Sequence, residues 1–170
     1  VGNVDQIIEQ VMAKIRQREH QSYEVDYRLK GLPPDEEVYT DHANVVINDV
    51  AIGLVADLYR ADTSNPWVQW ILQGISFQVN FTFQISKQMI NFIPRKMLLN
   101  WPIEFVVDAR HPVFGFFGKS VSRSDLAALP DQSVVVLTPT QRLTAEAEEI
   151  CQYKQIIKKI RTDEDCIWQK

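Results

Sequence analysis

The sequence predicts an α+β fold: an antiparallel or mixed sheet of about four to five strands, packed by two long helices over about 41–61 and 139–161. Three observations predict it. From Ile75 to Ser86 apolar and polar side chains alternate without a fault, the mark of a half-buried strand. After Asp41, Ala43, Val46, Ile47, Val50, Ala51, Leu54, Val55 and Leu58 fill more than one helical face. Thr138-Pro139-Thr140-Gln141 reads as a capping box with proline at the first helical position, opening a seam of Leu143, Ile150, Tyr153, Ile157 and Ile160.

The remaining elements follow in chain order. Val4, Ile8, Val11 and Ile15 recur at steps of four, three and four, so Asn3 to Gln17 is an amphipathic helix with one side toward a core. Tyr23, Val25, Tyr27 and Leu29 alternate with charged residues as a strand that ends at Gly31. Residues 31–40 hold Pro33-Pro34 and three acids and read as a solvated loop. Asn65-Pro66 caps a short helix carrying Trp67, Trp70 and Ile71, with Gly74 as its stop. Lys87 to Asn100 is a helix broken at Pro94. Ile103–Ala109 and Val113–Val121 form a hairpin turning at Arg110-His111-Pro112, with Gly115 and Gly118 as bulges. Ser122–Leu129 makes one or two helical turns, and Val134-Val135-Val136-Leu137 is a strand buried on both faces.

Composition bounds the class. With 170 residues, 45% apolar and 24% charged, the chain reads as one globular domain able to bury a core without staples. It begins without Met, as a chain excised from a longer one would. No apolar run is long enough to span a bilayer, and the first residues lack a signal-peptide pattern, so the expectation is a cytoplasmic protein without membrane insertion. Cys151 and Cys166, the two cysteines, read as free thiols. A net charge of -4 argues against nucleic acid as a partner.

Motifs for chemistry fail mostly on spacing. Gly115-Phe116-Phe117-Gly118-Lys119-Ser120 ends like a phosphate loop, but Val113 stands where its first glycine is needed, so no nucleotide or other cofactor is expected. None of the three histidines, His20, His42 and His111, has a partner at metal-ligand spacing. Asp108 and His111 can meet in the hairpin turn as an orienting carboxylate and a base, with Ser120 or, preferred here, Ser122 as nucleophile. Asn48 and Asp49 interrupt an apolar helix and are assigned to its exposed strip. Asn80-Phe81-Thr82 matches the glycosylation acceptor pattern, which requires export.

Two surfaces invite binding. Gln78, Asn80, Thr82 and Gln84 form an uncharged polar strand face that can floor a ligand pocket. Trp67 and Trp70, together with Tyr153 on the closing helix, offer aromatic anchors for a protein partner or a second copy. The expected function is therefore a non-enzymatic protein-interaction or ligand-binding module, acting as an oligomer or in a complex. The alternative is a small hydrolase centred on Asp108, His111 and Ser122.

Overall fold

The computed structural model describes residues 2–161. Its elements are α1 (Gly2–Glu19), β1 (Ser22–Asp26), α2 (Glu37–Asp41), β2 (Asn44–Asn48), α3 (Ile52–Tyr59), α4 (Pro66–Ser76) and β3 (Asn80–Ile85). A 3-10 segment (Lys87–Phe92), α5 (Arg95–Asn100), β4 (Ile103–Val107), β5 (His111–Gly115), β6 (Ser120–Val121) and α6 (Arg123–Ala127) follow. The chain continues through β7 (Val134–Leu137), β8 (Arg142–Leu143), α7 (Ala145–Tyr153) and β9 (Ile157–Ile160).

Seven strands make one mixed sheet in the order β1-β2-β3-β4-β5-β7-β9, and β6 pairs with β8 in a small separate ladder. Strands β1 to β4 are parallel, β4 and β5 form an antiparallel hairpin, and β5, β7 and β9 are parallel again. Each block adds strands in sequence order, and right-handed crossovers then place its connecting helices on one face. The hairpin reverses strand direction, so the second block sends its helices to the opposite face. Strand β7 records both sides: Val134 and Val136 join the main core with Phe83, Phe105 and Leu54, whereas Val135 and Leu137 pack with Leu126, Ala147 and Cys151 of α6 and α7.

The sheet is larger than four to five strands and mostly parallel. Most of the difference comes from three segments. The expected helix over 41–61 is a strand, β2, followed by α3. Val45 and Ile47 are fully buried on one face of β2 while its other face keeps partial exposure, and β-branched residues suit that pleated setting. Ile75 and Ser76 belong to α4, and Gln78, at φ 59°, turns the chain into β3. Phe77 accordingly stands 50% exposed instead of sharing a face with Phe81 and Phe83, which are 1% and 0% exposed. Gly74 does not stop α4 but lies within it, because a Cβ there would meet the Phe81 ring at 2.6 Å.

The expected helix over 139–161 is β8, α7 and β9. Gln141 is no capping residue: its amide accepts from the Thr138 N–H at 3.0 Å and donates to the carbonyls of Phe116 and Gly118 at 2.8 and 2.7 Å, tying two loops together. Thr144 caps α7 instead, accepting from the Ala147 N–H at 3.2 Å. Residues 31–40 also hold the start of α2, whose Tyr39 is 1% exposed. The Asn65 cap, the break at Pro94 and the buried strand β7 stand where the sequence puts them. The hairpin forms as well, but its turn is residues 108–110 and not Arg110-His111-Pro112: His111 and Pro112 are already in β5, opposite Val107 and Val106. In the hairpin the second strand is shorter than expected, ending at Gly115, and no glycine has positive φ. Cys151 is a buried free thiol, and Cys166 lies outside the described residues. No helix among the described residues is long and apolar enough to cross a membrane.

Candidate functional site

Four parallel strands deliver their C-terminal ends to one place. Asp26 ends β1, Asn48 ends β2 with Asp49 and Val50 after it, Gln84 and Ile85 end β3 with Ser86 after it, and Asp108 and Ala109 follow β4; together they line an open crevice of about 640 Å³. The carboxyl ends of parallel strands are where open α/β sheets bind ligands, because the chain leaves the sheet there and side chains converge. Asn48 stands beside Asp26 in the β1–β2 register, and its amide donates to Glu24 Oε1 at 2.7 Å and Asp26 Oδ1 at 3.1 Å. The ladder extends past the strands through Tyr27 N–H to Asn48 O at 2.9 Å and Val50 N–H to Gln84 O at 3.2 Å.

Backbone conformation is unusual at the rim. Asp49, Asp108 and Ala109 have φ of 53°, 51° and 55°, in the left-handed region. Asp tolerates this region better than most residues, whereas a β-carbon at Ala109 is disfavoured there. Gln84 Oε1 is buried without a hydrogen-bond donor from the protein. The lining holds carboxylates, amides and a hydroxyl, and no Lys, Arg or His. Such a set offers acceptors to a ligand rich in hydroxyl or N–H donors. Among the described residues no three His, Cys, Asp or Glu side chains are grouped to hold a metal ion.

The structure separates the three residues proposed for hydrolysis. Asp108 lines the crevice. His111 begins β5 and its Nδ1 lies 2.8 Å from the Gln132 carbonyl oxygen. Ser122 follows the far end of β5, beyond β6, and caps α6: its hydroxyl lies 2.8 Å from both Asp125 Oδ2 and Ser124 Oγ. The N–H and hydroxyl of Ser122 both donate to Asp125 and hold its carboxyl below the usual range. The shallow hollow beside Ser122 is lined by Arg123, Ser124, Thr144 and Glu146, not by Asp108 or His111.

The ligand-face residues divide. Gln84 reaches the crevice, Asn80 and Thr82 lie on the same side of β3 farther from it, and Gln78 sits in the exposed turn before the strand. Asn80 donates to Asn44 Oδ1 at 3.3 Å. Of the aromatic anchors, Trp67 and Trp70 are 2% and 4% exposed and pack edge-on against each other in the core, whereas Tyr153 on α7 is 84% exposed. The tryptophans lie on the buried face of α4, so they offer no surface.

Sequence reasoning missed two features. Asp26 carries no sequence signal as a site residue, and Asn48 and Asp49, assigned to the exposed strip of a helix, instead end and follow β2 at the crevice, because only the parallel strand order brings these chain segments together. The second is α1. Its apolar stripe is legible in the sequence, but it faces no core: no residue of this 18-residue helix is buried, and Val4, Ile7, Ile8, Val11, Met12 and Ile15 are each 44% to 60% exposed. Only its C-terminal end is held. Arg18 donates to the carbonyls of Tyr39 at 2.7 Å and Phe77 at 2.9 Å, and Lys14 lies 3.6 Å from Asp41.

No curated protein and no solved structure matches the chain. A family model does match, and it runs from residue 6, within α1, to residue 157, the first residue of β9. The chain belongs to the family described as "Putative propanediol utilisation".

Proposed function

We propose that the chain is a cytoplasmic, non-enzymatic interaction module that works as an oligomer or within a complex, with α1 as its docking element. The exposed stripe of α1 carries this reading. Apolar side chains gathered on one face in water forgo roughly 25 cal/mol for each Å² they could bury, and patches of this kind mark binding surfaces. An isolated helix of this length is marginal in water, so a partner that covers the stripe also supports the helix itself. The family description names a process and no reaction, which suits an accessory role. The hydrolase alternative has no observation in its favour, since His111 begins β5 whereas Ser122 lies beyond β6, bound up in the cap of α6.

Native mass spectrometry of the protein taken from its own cells tests the module. The expected result is an assembly heavier than one chain that disappears in the Ile8→Lys/Val11→Lys variant. Equal, single-chain masses for both proteins would remove the proposal.

The crevice supports a second reading, a ligand-binding module, because Gln84 and the carboxylates around it present acceptors without a cation among them. Since the family is described by propanediol utilisation, 1,2-propanediol is the first probe, with glycerol beside it. Titration calorimetry should give saturable heat that Gln84→Ala and Asp108→Ala reduce. Heats no larger than dilution for both diols would exclude these ligands and this reading with them.

A further inference from the structure

We propose that α1 docks against α1 of a second copy of the same chain, the two helices lying antiparallel. This rests on the reading of α1 as the docking element and names its occupant. Val4, Ile8, Val11 and Ile15 repeat at steps of four, three and four, the seam of a two-helix coiled coil, and Ile7 and Met12 flank it. An antiparallel pair centred between Ile8 and Val11 sets Val4 against the partner's Ile15 and Ile8 against the partner's Val11. Every layer is then apolar.

Charge decides the direction. The N-terminal half of α1 carries Asp5 and Glu9 and no base, whereas the C-terminal half carries Lys14, Arg16 and Arg18 with Glu19 as its one acid. Antiparallel pairing lays acidic half against basic half twice, and parallel pairing would lay like against like twice. Helix macrodipoles also oppose one another in the antiparallel arrangement. The helix is about 27 Å long at 1.5 Å per residue, so the tip of one copy reaches the root of the other. At that root Phe77, whose carbonyl holds Arg18, stacks on Tyr39 and is 50% exposed, apolar surface near which the partner's tip arrives. So short a seam gives a reversible, concentration-dependent dimer.

Sedimentation equilibrium of the full chain over a range of concentrations tests this. The native chain should dimerise. Asp5→Lys/Glu9→Lys, which makes the helix basic throughout, should weaken the dimer about tenfold or more. Adding Arg16→Glu/Gln17→Glu to that variant reverses the polarity of the two halves while leaving Lys14 on Asp41 and Arg18 on its carbonyls, and should restore most of the native affinity. These surface changes leave the core untouched, and circular dichroism verifies that each variant is folded. A dimer indifferent to the charge variants would overturn the antiparallel pairing. A native chain that stays monomeric, yet enters a larger complex through α1, would overturn self-pairing and leave the interaction reading standing. Monomers with no α1-dependent complex in cells would overturn both.

Discussion

The hydroxyl of Tyr39 donates to the carbonyl of Trp70 at 2.6 Å, joining α2 to α4 inside the core. Tyr39 is 1% exposed and its ring lies against those of Trp70 and Phe77, so a residue from a loop predicted to be solvated helps hold the second helix of the β2–β3 crossover in place. Tyr39→Phe should cost about 1–2 kcal/mol in urea unfolding, because the Trp70 carbonyl loses a buried donor while the ring packing remains.

The buried phenol of Tyr39 also predicts an alkaline limit. Burial, and to a lesser degree the nearby Glu36 carboxylate, raise the Tyr39 pKa. A pKa raised on folding contributes stability that is fully present below the unfolded value, about 10, and lost as pH rises through the folded one. The melting temperature should therefore fall above about pH 10, less steeply in Tyr39→Phe, which has no phenol to titrate there. Identical slopes would show that another group sets the limit.

Gly74→Ala should destabilise despite the higher helix propensity of alanine. Its Cβ would stand 2.6 Å from Phe81 Cζ, 2.9 Å from Phe81 Cε2 and 3.1 Å from Tyr39 Cε1. Overpacking of this kind costs about 1–3 kcal/mol, against about 1 kcal/mol gained in propensity. A chemical denaturation midpoint at or above that of the native chain would mean that α4 moves aside freely.

Ser122→Ala separates a capping role from a catalytic one. Loss of the capping box should cost about 1 kcal/mol of stability, and Ser122→Asn, which can still cap, should recover most of it. The Asp125 carboxylate belongs to the same cap, and its depressed pKa means that this contribution is present above the unfolded value and lost as pH falls through the folded one. Amide NMR of Ser122 should follow a titration with a midpoint below that of an ordinary aspartate.

Cys151 should resist thiol reagents at neutral pH. It is 4% exposed in the smaller core, and burial, then the Glu148 carboxylate, raise its thiol pKa against a smaller opposing pull from Lys158. In a Cys166→Ser background, labelling should wait for unfolding and accelerate with denaturant. Rapid stoichiometric labelling of the folded chain would contradict the burial.

How far the sequence could be read depended on whether the signal was local. Alternation from Val79 to Ile85 marks β3, Asn65-Pro66 marks the start of α4, and Pro94 marks a helix break, because each depends on the backbone chemistry of a few neighbouring residues. The run from Ala43 to Leu58 was ambiguous in principle: a strand whose neighbours bury it and a helix buried on several sides both read as continuous apolar sequence. The same ambiguity hid β9, whose Ile157 and Ile160 fit a helical seam as well as a strand.

By itself, then, the sequence determined the presence of a core, the alternating strand, the Asn65 cap and the apolar stripe of α1, all of which follow from short-range periodicity and side-chain chemistry. Tertiary structure decided the rest. Whether Val4, Ile8, Val11 and Ile15 meet a core or water depends on where α1 leaves the sheet. Whether Asp26, Asn48, Gln84 and Asp108 share a crevice depends on four parallel strands lying side by side. Pairing between strands joins segments far apart in the chain, and no local pattern encodes which strand becomes the neighbour of which.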